Sequence, residues 1–379
     1  MFIQNAWYAG AWAHELTEDG MMPRKILGKS LLFYRTSKGG AVVLRDRCSH
    51  RFAPLSAGRR EGDCVRCMYH GLVFDKDGKC VEEPGRKGVS PNTDVPSYPV
   101  VERHKLVWVW MGDAEKADPD LIPDCHHHED PNWRSKPQYA RFAANYLLVL
   151  DNLLDFSHLS YVHENSLGGS KSIAEIRPKV DKTDKGVQLT RWYLNEPEFA
   201  PYLRGYERFE GPIDRWNIYH LSTLSNHFSM SSGTAPANTG APEGNVDPRA
   251  MVFHSHQVIT PEDENNTHYF WTYGHNFALD DEGLTNALAE RISAGFKEDR
   301  EMIEAQRVII EESEGEDAEM AFILADNGLA LGRRLIDEKL AELEQGAPNT
   351  ADLFFVGFAG SGDEAIFRSE VRYAQGVMT

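Results

Sequence analysis

The sequence predicts an α+β protein with two domains, a β-rich one followed by one in which helices pack on a sheet. Short apolar runs separated by Gly, Asp and Pro turns fill the N-terminal third, which is typical of a β domain. From Tyr139 onward, helical periodicity alternates with strand-like alternation. At 379 residues the chain is long enough for two cores. We therefore expect domains at 1–135 and 136–346, followed by a tail at 347–379.

The first domain is expected to consist of short strands joined by tight turns. Residues 114–136 are rich in Pro, Asp and His, which indicates a linker to the second domain. Three adjacent histidines in this linker, residues 126–128, cannot all face one metal from a helix or strand, so we expect a solvated loop there. The predicted strands lie at 31–34, 41–44, 100–101 and 106–110, with a hairpin turn at 75–78.

The second domain is expected to begin with a helix at 143–163 and to continue with strands. A long helix at 282–311 follows, and an amphipathic, charged helix is expected at 314–346. Residues 231–248, which are rich in Ser, Gly, Ala, Pro and Asn, indicate a flexible loop or lid. The predicted strands lie near 187–194, 216–230, 250–260 and 267–276.

Composition excludes several classes of protein. The formal charge of −18 disfavours partners such as nucleic acid or an anionic membrane surface. No apolar run approaches the ~20 residues of a membrane span, and the N-terminus lacks the pattern of a signal peptide. Five cysteines do not make a secreted disulfide framework, so a cytoplasmic protein is expected. Outside the motif described next, Cys64, Cys80 and Cys125 are expected to be core thiols.

Four residues in two close pairs predict a metal centre: Cys48 with His50, and Cys67 with His70. Each pair supplies one thiolate and one imidazole, which suits a Rieske [2Fe–2S] cluster, where two imidazoles replace two thiolates on one iron. The alternative is a structural zinc site, because Cys2His2 is also a zinc ligand set. Zinc fingers usually group Cys with Cys and His with His, which favours the Rieske centre, although Cys64 and Cys67 also form a C-x-x-C pair.

A second metal site is predicted around His158 and His163. These two residues are five positions apart and can converge only if the helix bulges or ends between them. Two His and one carboxylate form the facial triad of non-haem Fe(II) oxygenases. The carboxylate could be Asp155, but Asp299 lies on the apolar stripe of the long helix, where a charge needs a partner. We assign Asp299 as the third ligand and expect Glu298 to be solvated.

Together these motifs resemble the Rieske non-haem iron oxygenases, of the vanillate O-demethylase oxygenase and dicamba monooxygenase type. The likeness covers most of the chain, and its paired motifs are highly specific. The matching segments are 5–8, 48–56, 67–72, 152–163, 260–261 and 297–299.

The resemblance implies an all-β Rieske domain, a helix-grip catalytic domain with an antiparallel sheet packed by helices, and a head-to-tail homotrimer. Each subunit would hold one [2Fe–2S] cluster and one mononuclear Fe(II). In the family, the position of Asp155 bridges His70 of one subunit to His158 of its neighbour, and Asn152 matches a position beside the iron. Because no G-x-G-x-x-G motif follows a strand, electrons are expected from a separate NAD(P)H-dependent reductase carrying flavin and an iron–sulfur centre.

The reaction that the likeness favours is O-demethylation of a methoxylated, vanillate-like aromatic acid with O2, giving a phenol and formaldehyde. The same metals leave open ring hydroxylation, ring dioxygenation and N-demethylation. Alternatives of other classes are a Rieske electron-transfer protein without oxygenase activity and a zinc-stapled binding module. The candidate substrate contacts, placed on strands expected to face the pocket, are Asn226, His254, His256, Trp271 and Asn276.

Overall fold

A computed structural model describes residues 2–168, 172–222, 226–313, 321 and 327–344. The tail expected at 347–379 lies outside these residues. In the part of the chain that is described, no helix is long and apolar enough to cross a membrane.

The N-terminal part consists of three small antiparallel sheets, with strand orders β1-β10-β9, β2-β3-β4 and β5-β6-β7-β8. Tight turns join the strands, and the Asp75 N–H donates to the Lys79 carbonyl in the turn between β7 and β8. The strands are β1 (Ala6–Trp12), β2 (Met22–Ile26), β3 (Lys29–Arg35), β4 (Ala41–Arg45), β5 (Arg59–Glu61), β6 (Cys64–Arg66), β7 (Val73–Phe74), β8 (Cys80–Glu82), β9 (Val100–Arg103) and β10 (Leu106–Met111).

The C-terminal part is built on one seven-stranded antiparallel sheet, in the order β11-β17-β16-β15-β14-β13-β12. Its strands are β11 (Gln138–Phe142), β12 (Lys179–Thr183), β13 (Gly186–Glu196), β14 (Ile213–Ser222), β15 (His227–Pro236), β16 (Met251–Asp263) and β17 (Asn266–His275). The helices are α1 (Tyr146–Leu154), α2 (Ser172–Glu175), α3 (Glu282–Glu312) and α4 (Asn327–Glu344). Asp281 caps α3 by accepting from the Leu284 N–H at 2.9 Å.

The large sheet is covered on both faces. Apolar side chains of α1, α3 and α4 pack on one face, where Leu150, Ile303 and Ile336 share a core with strand residues. On the other face, Val258 and Phe270 pack against tryptophans of β1 and β10. The centre of the sheet is therefore buried between a helical layer and the N-terminal part.

The expected strands of the N-terminal part and the long helix α3 are confirmed. The single helix expected at 143–163 is wrong, because α1 ends at Leu154 and Asp155 adopts an extended conformation. A 3-10 helix, Phe156–Ser160, follows it.

Three further corrections concern the second domain. The segment 216–230 spans the end of β14 and the start of β15 rather than one strand. The lid expected at 231–248 is wrong in its first part, since β15 continues to Pro236. In the helix expected at 314–346, α4 begins at Asn327, and residues 314–320 and 322–326 lie outside the described residues.

Candidate metal centres and substrate cavity

The first cysteine–histidine pair lies in the loop after β4. The Cys48 N–H donates to the Ala53 carbonyl at 2.8 Å, and the Phe52 N–H donates to the Cys48 carbonyl at 3.0 Å. Phe52 has a φ of +58°, a conformation that closes this tight loop. The loop thereby presents Cys48 and His50 together.

The second pair lies between β6 and β7 and repeats the same backbone hydrogen bonds. The Cys67 N–H donates to the Leu72 carbonyl at 2.8 Å, and the Gly71 N–H donates to the Cys67 carbonyl at 2.9 Å. Gly71 has a φ of +85°, matching Phe52 in the first loop. Two loops of equal design therefore face each other, each with one thiol and one imidazole.

The four side chains are arranged with sulfur inside and nitrogen outside. Cys48 and Cys67 are each 2% exposed, whereas His50 and His70 are exposed, with ring centroids 4.4 Å apart. Burial and the neighbouring Cys67 thiol raise the pKa of the Cys48 thiol. An inner iron bound by thiolates and an outer iron bound by imidazoles would fit this order.

The donor atoms are spread more widely than one ion would need. Among the described residues, three groups of at least three His, Cys or carboxylate donors converge within 4.8 Å, and these four residues form none of them. A tetrahedral zinc site needs such convergence. The arrangement therefore favours a two-iron cluster over zinc.

The second centre brings together the three residues assigned from the sequence. The Nε2 atoms of His158 and His163 lie 3.3 and 2.9 Å from Asp299 Oδ1. The site is enclosed, since His163 is 1% and Asp299 6% exposed. Two imidazoles and a carboxylate that converge on one point fit the facial triad of non-haem iron.

Local chain geometry explains why histidines five positions apart converge. His158 lies on the 3-10 helix that ends at Ser160, and His163 lies in the turns that follow. The Gly168 N–H donates to the His163 carbonyl at 2.9 Å. A Cβ at Gly168 would lie 2.0 Å from the Leu159 carbonyl oxygen, so glycine is required for this closure.

Both histidines are oriented through their second ring nitrogen. His158 Nδ1 contacts the Asp155 carbonyl, and His163 Nδ1 lies 2.7 Å from Glu298 Oε2. The expectation that Glu298 is merely solvated is therefore wrong, because it holds the ring of His163. Such contacts leave each Nε2 for the metal. Burial opposes ionisation of Asp299, but hydrogen bonds with the two histidines hold the pKa of its carboxyl below the usual range.

Replacing Glu298 with Ala should lower iron affinity at the triad by about 10- to 100-fold, because the His163 ring loses its orienting acceptor. Iron and acid-labile sulfide per chain should be measured after dialysis against a chelator. Glu301→Ala is the matched control, since this exposed residue of α3 pairs with Lys297 and lies away from the triad. Equal iron retention in the two variants would contradict the orienting role.

Asn152 and Asp155 both lie beside the triad. Asn152 Nδ2 donates to Asp299 Oδ1 at 3.0 Å and lies 3.4 Å from His158 Nε2. The Asp155 carboxylate accepts from the N–H and hydroxyl of Ser157, each at 2.8 Å, and so caps the 3-10 helix.

A cavity next to the triad lies between the large sheet and the helices. Its helical wall includes Asn152, Phe156 and Phe296, and the triad itself opens into it. Its sheet wall includes Arg215, Asn217, Met230, Ser232, Ser255, Gln257 and Tyr273.

The five substrate contacts expected from the sequence do not line this cavity. His254 and His256 are on the opposite face of the sheet from their neighbours Ser255 and Gln257, because side chains alternate along β16. Trp271 shares the cavity face but packs against Phe296 with ring centroids 5.2 Å apart. Asn226 is buried before β15, and Asn276 is exposed.

Arg215 is a candidate functional residue that sequence reasoning missed. It lines the cavity, is 9% exposed, and packs over the Tyr193 ring at 5.7 Å. Among the described residues, no carboxylate lies within 4.0 Å of its guanidinium. A buried cation without a counter-ion is costly, so its place in the cavity indicates an anionic ligand.

A second group of donors lies on the other face of the sheet, and we call it the histidine–cysteine cluster: Cys125, His127, His227, His254 and His256. The expectation of a solvated loop at His126–His128 is wrong, because this 3-10 turn packs on the sheet. His128 is 5% exposed and contacts Thr272 Oγ1 at 2.8 Å. Burial lowers the pKa of His127 to about 4 and those of His227 and His254 to about 3, so these rings are neutral at neutral pH.

Two family models match the chain. The model of the vanillate O-demethylase oxygenase C-terminal domain matches residues 142–342, and that of the Rieske [2Fe-2S] domain matches residues 6–99.

Characterised relatives match over nearly their whole length. The iron–sulfur subunit of the toluene-4-sulfonate monooxygenase system of Comamonas testosteroni is 46% identical over 349 residues, 91% of this chain and 99% of the relative. The vanillate O-demethylase oxygenase subunit of Pseudomonas sp. strain HR199 is 33% identical, covering 92% and 97%. The oxygenase component of dicamba O-demethylase of Stenotrophomonas maltophilia is 35% identical, covering 80% and 88%.

The fold matches a solved structure at similar coverage. Dicamba monooxygenase bound to 3,6-dichlorosalicylic acid superposes with a TM-score of 0.84 at 31% identity, over 91% of this chain and 99% of that one.

Proposed function

The chain belongs to the Rieske non-haem iron oxygenases of the vanillate O-demethylase type, and we propose that it oxidises a methyl group carried by an aromatic acid. The first candidate reaction is O-demethylation of a methoxylated acid. One oxygen atom of O2 enters a methyl C–H bond, and the other leaves as water with two electrons and two protons. The resulting hemiacetal breaks down to a phenol and formaldehyde.

The donor sets fit the two metal groups that this chemistry requires. Cys48, His50, Cys67 and His70 would hold the [2Fe–2S] cluster, and His158, His163 and Asp299 would hold the mononuclear iron. When bound, these groups supply single-electron delivery and O2 activation. The electrons would come from NAD(P)H through a separate reductase, in keeping with relatives named as components of multi-component systems.

The single observation that carries the substrate class is Arg215 in the cavity wall. Its guanidinium offers a planar pair of donors to a carboxylate or sulfonate. Asn217, two residues along the same strand, also lines the cavity and offers its side-chain amide as a further donor beside it. An aromatic anion bound there would supply the missing counter-ion.

The rest of the cavity suits an aromatic ring and keeps water from the reacting carbon. Phe156 and Phe296 provide ring surfaces, and Ile292 and Leu167 close the helical side. Asn152, hydrogen-bonded to Asp299, orients the carboxylate at the end where the methyl group would react.

Replacing Arg215 with Leu should raise the KM for an aromatic acid by about 30- to 1,000-fold, since one partner of a buried charge pair is lost. The kcat should change much less, and the KM for a neutral methyl ester of the same compound should be the same in the native enzyme and the variant. Arg208→Leu is the control, because Arg208 packs over Phe277 and does not line this cavity. A kcat loss with unchanged KM would contradict the anchoring role.

A second candidate substrate is a methylated arenesulfonate. The 46% identity to the toluene-4-sulfonate monooxygenase subunit favours it. The N–H groups of a guanidinium can donate to a sulfonate as they do to a carboxylate. Oxidation of an aryl methyl group would give a benzylic alcohol and no formaldehyde.

The experiment that tests the function is turnover with a surrogate reductase and NADH on methoxybenzoates, toluenesulfonates and unsubstituted aromatic acids. O2, formaldehyde and aromatic products should be followed together. Formaldehyde in step with O2 would support O-demethylation, and a benzylic alcohol would support the second candidate. Ring hydroxylation or a cis-diol on every substrate would overturn methyl oxidation.

We also propose that the active unit is a homotrimer in which the cluster of one subunit docks beside the iron of the next. Large apolar side chains are exposed at both places: Phe52, Met68 and Tyr69 near the cluster, and Tyr161 near the iron, are each more than half exposed. Such exposure is typical of surfaces that bury on association. Light scattering of the purified enzyme should give the mass of three chains, and a monomer would contradict this arrangement.

A further inference from the structure

We propose that the histidine–cysteine cluster is a zinc site with Cys125, His227 and His256 as ligands. It lies between the segment that joins the two parts of the chain and the face of the large sheet opposite the substrate cavity. Neither of the two iron centres uses these residues.

Two of the three donor–donor distances match those around one tetrahedral ion. Cys125 Sγ lies 3.5 Å from His227 Nε2, which lies 3.1 Å from His256 Nδ1. For zinc bound at its usual distances, tetrahedral angles place a sulfur and a nitrogen about 3.5 Å apart and two nitrogens about 3.3 Å apart. All three donors lie within 4.8 Å of one another.

Hydrogen bonding alone accounts for these contacts less well. His256 faces an imidazole nitrogen at each end, His227 Nε2 at 3.1 Å and His127 Nδ1 at 3.2 Å. A neutral imidazole has one N–H, so His256 can donate to only one of them, and its neighbours must each take one particular tautomer. A cation bound to His256 Nδ1 removes that constraint on the His227 side and leaves the Nε2–H of His256 to donate to His127 Nδ1.

Burial and donor chemistry point to zinc. Cys125 is 0%, His256 2% and His227 5% exposed, so the site is closed. Three neutral or thiolate donors of N and S type suit Zn²⁺ better than the oxygen-seeking Mg²⁺ or Ca²⁺. Cys with two His also occurs in trigonal copper sites, so copper is the competing metal.

A metal here would hold the segment that joins the two parts of the chain against the large sheet. Cys125 belongs to that segment, whereas His227 and His256 belong to β15 and β16. The coordination bonds would add to the contact that His128 already makes with Thr272 of β17. We therefore expect a structural rather than a catalytic ion.

The test is metal analysis and cobalt substitution of the full-length holoenzyme with its iron sites filled. We expect about one zinc per chain beside the iron, and a thiolate-to-cobalt charge-transfer band after exchange. The iron triad contains no cysteine, and Cys48 and Cys67 stay on the [2Fe–2S] cluster, so the difference spectrum between the cobalt and zinc forms reports the histidine–cysteine cluster. Cys125→Ser and His227→Gln should abolish the band and lower zinc affinity by more than about 100-fold. Cys64→Ser, which removes a thiol outside the cluster, should keep both.

Removal of zinc should lower the Tm of the native enzyme but not that of Cys125→Ser, while the iron and sulfide content stays the same. The proposal is overturned if the native enzyme gives no thiolate–cobalt band or if zinc binds equally to both Cys125 and Cys64 variants. Loss of zinc in His127→Gln or His254→Gln, together with retention of zinc in Cys125→Ser, would mean that the assigned ligands are wrong. Stoichiometric copper in place of zinc, with a blue thiolate band, would overturn the choice of metal.

Discussion

Replacing Asp299 with Asn should remove the mononuclear iron and abolish turnover, while the red-brown cluster remains. The substitution keeps the shape of a side chain that is 6% exposed but removes the negative charge that faces two histidines. We expect iron to fall from about three to about two per chain, since loss of a ligand should cost more than about 100-fold in affinity. Iron and sulfide analysis with the visible spectrum measures this.

The control for this substitution is Glu301→Gln on the exposed side of the same helix. It should keep all iron and full activity. Retention of three irons per chain by Asp299→Asn would mean that the carboxylate is not a ligand. Loss of the cluster as well would point to misfolding rather than to ligation.

Replacing Asp155 with Asn should preserve both metal centres and slow electron transfer between them by at least about 100-fold. The amide oxygen can still accept from the Ser157 N–H, so the cap of the 3-10 helix is kept. What is lost is the negative charge, which we propose links the cluster of one subunit to His158 of the next and which also lies 3.9 Å from the guanidinium of the buried Arg191. Reoxidation of the reduced cluster by O2 in the presence of substrate, followed in a single turnover, measures the rate.

Ser157→Ala separates bridging from capping. It removes the hydroxyl contact to the same carboxylate and weakens the cap, while the Asp155 charge stays. If its reoxidation rate falls as far as that of Asp155→Asn, Asp155 acts through local structure. Normal reoxidation in Asp155→Asn would mean that electrons take another route.

The donors that the structure brings together at the two candidate metal centres could be predicted from the sequence because their spacing encodes the geometry. Cys48 and Cys67 each precede a histidine by two or three positions, a separation that fits within one tight loop. The pairing of one Cys with one His in each loop separates a Rieske centre from most zinc sites. The break between His158 and His163 was required by helix geometry alone. Asp299 could be found because a charge on an apolar stripe needs a partner.

The substrate cavity could not be predicted, and the reason lies in β16. Alternation identifies one face of a strand only when the other face is solvated. Here the helices bury one face and the N-terminal part buries the other, so His256 and Gln257 are both buried. No local sequence pattern shows whether His256 or Gln257 points into the cavity. The role proposed for Arg215 depends on the absence of a counter-ion among residues distant in sequence, within the part of the chain that the structure describes, and no local pattern records such an absence.

The two-sided burial of β16 has a consequence for how this enzyme could change in evolution. Ser255 and Gln257 touch the cavity, while His254 and His256 belong to the scaffold behind it. Mutations at the odd-numbered positions can therefore alter the cavity wall while leaving the histidines on the other face of the strand unchanged. Alternate residues of β16 therefore line the cavity and the opposite face of the sheet, so selection can act on the two faces separately.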